Sequence, residues 1–185
     1  MAEHVCPWWM GYLLASPIRR WMASPEELIA PYVREGMTVL EPGPGMGFFT
    51  MPMAKVVGAA GRVVAVDIQQ KMLDELCRRA AKKGLSERIE ARLASAGSLG
   101  IDDLKSAADF VLAFAVVHEM PSAGRFFTEA AAALKRGGLM LLAEPAGHVN
   151  AATFERELEE ARVAGLEPVT WPEIRRSFAA VLRKS

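Results

Sequence analysis

The chain has 185 residues, 22 basic and 22 acidic side chains, 51% hydrophobic residues and two cysteines, a balance that suits one well-filled globular domain. It excludes an intrinsically disordered chain, which needs lower hydrophobicity and a larger net charge, and a small disulfide scaffold, which needs many more cysteines. Formal neutrality removes the bulk electrostatic case for a nucleic-acid partner, and the longest apolar runs, Phe110 to Val117 and Leu139 to Ala143, fall far short of the roughly 18 to 20 residues of a membrane-spanning helix, so no stable membrane insertion is expected.

In chain order, residues 1–23 come first and hold three of the four tryptophans, Trp8, Trp9 and Trp21, with Tyr12, Leu13, Leu14 and Ile18. A stretch this aromatic must cover something apolar. It reads as a lid over an acceptor pocket, a helix packed on the core, a homodimer contact, or a surface-lying membrane helix with Arg19 and Arg20 at headgroup level. Glu3 stands where a secretory leader would be basic, and Pro7, Arg19 and Arg20 interrupt the apolar stretch. A cytoplasmic protein with Cys6 and Cys77 reduced is therefore expected.

Residues 24–185 read as a single domain in which short β-rich runs alternate with amphipathic helices. Ser24-Pro25-Glu26-Glu27 supplies an N-cap, a proline at the first helical position and two acids at the positive helix end, predicting a helix to about Arg34 that Gly36 stops. Thr38-Val39-Leu40 predicts the first strand, followed by the glycine-rich Glu41 to Gly47 and a helix through Lys55 to Val57. Val63 to Val66 predicts a buried second strand ending at Asp67. A helix over Gln70 to Lys83 follows, with Met72, Leu73, Leu76 and Ala80 on one face and Gly84 as its C-cap.

Ile89 to Leu93 predicts a third strand, Phe110 to Val117 a central fourth, and Leu139 to Leu142 a fifth that ends at Glu144. Between the last two lies a helix with Phe126, Phe127, Ala130 and Leu134 on its apolar stripe, and Gly137-Gly138 turns the chain. Asn150 caps a helix bearing Phe154, Leu158 and Ala161, ended by Gly165. The remaining pieces, Glu167 to Thr170 and Ser177 to Leu182, have no helix between them and predict an antiparallel hairpin. The expected architecture is an α/β doubly wound sheet of five parallel strands plus a C-terminal antiparallel hairpin, with helices on both faces.

Ligands bind at the carboxyl ends of the strands in such sheets. The residues there are Glu41 to Gly47, Asp67, Ala94 to Gly97, His118 with Glu119, and Glu144 with His148. Gly43, Gly45 and Gly47 let the backbone turn sharply and approach a ligand closely, and Asp67 stands where an acid accepts hydrogen bonds from ribose hydroxyls. A nicotinamide dinucleotide is disfavoured, because Phe48 occupies the position where its fingerprint wants a small residue. No phosphate-binding G-x-x-x-x-G-K-[ST] loop is present.

In order and spacing, VLEPGPGMG from Val39 to Gly47, VVAVD from Val63 to Asp67, Ala94 to Leu99, ADFVLAFAVVHEM from Ala108 to Met120 and LKRGGLMLLAEP from Leu134 to Pro145 resemble the successive motifs of the class I S-adenosylmethionine-dependent methyltransferases, a Rossmann-like family. The resemblance covers roughly Pro25 to Ser185. It implies S-adenosyl-L-methionine as cofactor, its methionine part held by Gly43 to Gly47, its ribose by Asp67 and its adenine by Ile68 and Met72, with Ser95 and Ala96 at the adenine edge. Glu41, Pro44, Phe48 and Phe114 complete the implied set. Glu41 replaces the family's commoner aspartate, and Ser95 stands where many relatives place an acid.

Methyl transfer to a small or medium acceptor is then the leading function, with a small molecule as partner. A base for the acceptor's proton is the least determined part. His118 reads as that base or as a histidine packed beneath the sheet end; Glu144 and His148 read as groups that deprotonate or orient the acceptor, or as a capping acid and a solvated loop histidine. No compact spacing among Glu119, Glu144, His118 and His148 supports a metal. His4 and Cys6 raise a thiophilic acceptor, since some relatives act on arsenic through cysteines, but only Cys77 joins Cys6. A nicotinamide-dependent oxidoreductase and a non-catalytic adenosylmethionine-binding protein are the alternatives.

Overall fold

The computed structural model describes residues 24–95 and 97–185. The lid, packing-helix, dimer and membrane-surface readings of residues 1–23, and the adenine-edge role of Ala96, lie outside the described residues. The chain divides into two compact units, the first ending at Ala94 and the second running from Ser95 to Ser185.

The first unit opens with helix α1 (Pro25–Ile29), capped by the Ser24 hydroxyl accepting from the Glu27 N–H at 3.3 Å. It stops well before the expected Arg34. Pro31 is the physical reason, because it lacks the N–H that would continue the helix ladder, although Ala30 before it keeps helical angles. The Arg34 guanidinium donates to the Ala30 carbonyl at 2.6 Å and the Pro31 carbonyl at 3.1 Å, satisfying the orphaned acceptors.

Strands β1 (Thr38–Pro42), β2 (Arg62–Asp67) and β3 (Ile89–Leu93) follow, with helices α2 (Thr50–Val56) and α3 (Gln70–Lys82) between them. β2 pairs in parallel with both others, Val39 opposite Val63 and Val63 opposite Ile89. Val39, Leu40 and Val63 to Val66 are buried. Such continuous apolar runs mark strands covered on both faces. α3 buries the expected Met72, Leu73, Leu76 and Ala80. It closes with the Leu85 N–H on the Ala80 carbonyl and the Gly84 N–H on that of Ala81, a paired C-terminal lock that needs the positive φ of Gly84.

The second unit holds β4 (Ala108–Phe114), α4 (Ala123–Ala133), β5 (Leu134–Pro145), α5 (Ala151–Val163), β6 (Leu166–Thr170) and β7 (Ser177–Lys184). β4 and β5 are parallel, and β7 pairs antiparallel with both β5 and β6. Across the two units, five strands have parallel partners and the last two form the expected antiparallel hairpin.

β4 ends at Phe114 and not at Val117. Ala115 adopts φ 55°, which breaks the extended chain although residues 115 to 117 are apolar, and Val117–Glu119 forms a 3-10 turn. β5 begins earlier than expected, at Leu134, and carries Gly137-Gly138 inside an irregularity of its pairing with β4. Asn150 caps α5 as expected, its side-chain oxygen accepting from the Thr153 N–H at 2.9 Å.

Candidate active site

In the first unit the glycine loop starts where β1 ends. The Gly43 N–H donates to the Val66 carbonyl at 2.9 Å and that of Gly47 to the Pro44 carbonyl at 3.0 Å. Gly43, Gly45 and Gly47 all have positive φ, a conformation that costs other residues about 1–2 kcal/mol each. A side chain added at Gly45 would meet nothing within 4 Å, whereas one at Gly47 would meet the Met51 methyl at 2.9 Å. Gly47 is thus favoured by its positive φ, since the flexible Met51 methyl could shift, and Gly45 presents bare backbone to open space.

Asp67, at the end of β2, accepts from the Gln69 N–H at 2.9 Å. The Gly45 and Ile68 N–H groups also bond to it and lower its pKa, but burial outweighs them and the net shift is upward. One carboxylate therefore pins the loop tip to the end of the second strand. Glu41 is buried, and its Oε2 accepts from the Thr50 hydroxyl at 2.6 Å. Burial, aided by the nearby Asp67 charge and opposed by the Thr50 hydrogen bond, pushes its pKa up to about 8. Of the residues expected on an adenine face, Ile68 is 46% exposed and Met72 is buried in the core. Pro44 is buried, and Phe48 is half-buried with its ring edge-on to Phe49.

The second unit brings all three expected acid–base residues together. Glu144, fully buried near the end of β5, accepts the Val116 and Val117 N–H groups on Oε1 at 3.1 and 2.8 Å. Its Oε2 accepts from His118 Nδ1. With Nδ1 donating to Glu144, Nε2 carries the lone pair of the neutral imidazole. The positive φ of Ala115 turns the chain so that these two amides reach Glu144. The hydrogen bond from Glu144 raises the His118 pKa against the opposing effect of burial, with the Glu144, Glu119 and Glu157 charges adding to the rise. The exposed His148 ring lies 5.2 Å from that of His118, centroid to centroid. Ser95 is exposed and bridges to Ser98, and Phe114 is half-buried at the end of β4.

Glu157 is the acid that the sequence reading missed. It is only 6% exposed, and its Oε2 has no hydrogen-bond partner. The signal was available: Phe154, Glu157, Leu158 and Ala161 form one helical stripe, and a glutamate inside such a stripe is buried unless the helix turns. Among the described residues no group of three or more His, Cys, Asp or Glu is placed to hold a metal ion. No helix among them is long and apolar enough to cross a membrane.

A glycine loop after the first strand, tied to an acid closing the second, defines a Rossmann-like cofactor-binding domain. A family described as a methyltransferase domain matches residues 33–177, and the chain belongs to it. Over 98% of this chain and all of the other, the fold is similar to that of a SAM-dependent methyltransferase from Aquifex aeolicus, at a TM-score of 0.83 and 22% identity. The Ubiquinone/menaquinone biosynthesis C-methyltransferase UbiE of Brucella canis is 31% identical over 73% of this chain and 50% of its own length. The Arsenite methyltransferase of Halobacterium salinarum is 31% identical over 59% of this chain and 27% of its own. The chain therefore spans half or less of these two relatives. Membership of the family counts against the oxidoreductase alternative.

Proposed function

We propose that this protein is a cytoplasmic S-adenosylmethionine-dependent methyltransferase whose small acceptor loses a proton from oxygen or nitrogen as it is methylated. The observation that carries the acid–base part is the buried Glu144, locked by two backbone amides and holding His118 through Nδ1. A histidine held in this way supports the reading of His118 as a base over that of a histidine merely packed beneath the sheet end.

The first unit fits the family's cofactor. Gly45 leaves room for close approach, Asp67 offers its carboxylate, and Glu41 is an acid held neutral by burial that a neighbouring positive charge would re-ionise. Glu41, the glycines of the loop and Asp67 would hold the methionine and ribose parts, with the exposed Ile68 as an apolar face. When bound, the sulfonium supplies an activated methyl group. What the chain's own residues do is orient and deprotonate: Glu144 fixes the imidazole, and His118 Nε2 takes the acceptor's proton.

Calorimetric titration with S-adenosylhomocysteine, with NAD as control, tests the cofactor part. Selective binding of the former, weakened about 10- to 100-fold in Asp67→Ala by loss of charge-assisted hydrogen bonds worth about 1.5–3 kcal/mol, is expected. Equal binding of NAD, or an unchanged Asp67→Ala protein, would overturn it. Radiolabelled methyl transfer to a panel of phenols and amines, absent in His118→Asn, tests the base. Cofactor binding without transfer to any member would favour the non-catalytic alternative.

A further inference from the structure

The second unit contains an ionisable group that the reading above does not use. Glu157 is buried on the inner stripe of α5, and its Oε2 is out of contact with solvent and without a donor. A buried carboxyl oxygen with no partner is expensive to retain, so its position calls for a reason.

The packing of α5 shows where that carboxyl sits. Phe178 of β7 pairs directly with Glu144 of β5, and directly opposed residues of an antiparallel pair project from the same face. Phe154 of α5 stacks on Phe178, with 5.7 Å between ring centroids. Phe154 and Glu157 are three residues apart in a helix and share its face. α5 is thereby laid over the same face as Glu144, with Glu157 one turn along, close to the pair that Glu144 makes with His118.

We propose that Glu157 is a positioning residue for His118: a third acid–base group, coupled through space to the His118–Glu144 pair, whose charge adds to the imidazole's hold on its proton. The groups that act on Glu157 are Glu144 of β5, His118 of the 3-10 turn, and Glu160 and Arg156 of α5 itself; Glu119 acts with it on His118. Burial, then the Glu144 charge, raises the Glu157 pKa to about 7, while His118 opposes the rise.

The consequence is reciprocal. An ionised Glu157 strengthens His118's hold on its proton, and a protonated imidazole makes Glu157 easier to ionise. His118 and Glu157 therefore titrate as a coupled unit. When His118 takes a proton from an acceptor, the bond broken is the acceptor's O–H or N–H and the bond formed is Nε2–H. The array then holds one more proton, which it releases to water when the site empties.

This inference rests on His118 as the base only for its catalytic meaning; the coupling itself is measured without turnover. Titration of ring-labelled histidines by NMR between pH 5 and 9, assigned with His118→Asn and His148→Asn, reads it directly. In the native protein the His118 curve is expected to be broader than that of an isolated imidazole. In Glu157→Gln it sharpens, with its midpoint lowered by about half a pH unit or more, and Glu157→Asp, which keeps the charge on a shorter arm, recovers part of the shift. A His118 midpoint unmoved by Glu157→Gln in a protein with otherwise native chemical shifts overturns the proposal. Should His118→Asn still transfer methyl groups while the coupling is observed, the base assignment fails and the coupled pair stands.

Discussion

The glycine loop of the first unit and the acid–base array of the second solve the same problem, holding polar groups in a buried place, by opposite means. The loop is stabilised by short-range bonds, Gly47 on Pro44, Gln69 on Asp67 and Thr50 on Glu41, and by several separate ties to the second strand, Gly43 on Val66 and Gly45 on Asp67. The array joins residues more than 25 positions apart, with Glu144 reaching Val116, Val117 and His118. A site of the first kind tolerates loss of one contact because its chain path is locally fixed, whereas a site of the second kind depends on one carboxylate to hold a turn and an imidazole at once.

The sharpest way to break that contrast is Glu144→Ala. It strips acceptors from two buried amides and the partner from His118, and should cost about 3–5 kcal/mol of stability in urea unfolding. A loss below 1 kcal/mol would show that the array is not held as described.

The pH response separates the two regions next. Glu41 and Glu157 both have folded pKa values raised above the ordinary 4.5, to about 8 and about 7. The stability each contributes is complete below about pH 4.5 and is lost as pH rises through the folded value. Thermal stability should therefore fall from pH 5 to pH 8.5, and Glu41→Gln should flatten that decline. A steeper decline in the variant would reverse the assignment.

The smallest effect distinguishes positions within the loop. Gly47→Ala should destabilise by about 1–2 kcal/mol through its positive φ, with the Met51 methyl shifting besides. Gly45→Ala should cost no more in stability but should weaken S-adenosylhomocysteine binding, because its methyl would enter open space. If both variants bind alike, the loop tip does not face the cofactor.

The same contrast explains what the sequence revealed. Strand β3 and the caps of α1 and α5 were legible because Ser24, Asn150 and the apolar runs act over a few residues. The loop was legible because three glycines within five positions leave few conformations. His118, Glu144 and His148 were legible as residues at strand ends but not as a connected set, since sequence spacing does not say that Ala115 turns left-handed and delivers two amides to Glu144. The length assigned to α1 failed because Pro31 outweighed a favourable start. Glu157 escaped because a charged residue on a helix is ordinarily placed on the wet side, although its spacing from Phe154, Leu158 and Ala161 already put it on the apolar stripe.

At the other end of the second unit, β6 pairs among the described residues with β7 alone, and its register shifts between Pro168 and Thr170. A proline in that strand offers no N–H to an incoming chain, and the extra residue twists the strand away from a flat template. The exposed Trp171 follows immediately. Strand-by-strand growth into aggregates would otherwise start most readily at this border, so Pro168 acts as its guard, keeping a hydrophobic sheet from recruiting copies of itself during expression and storage.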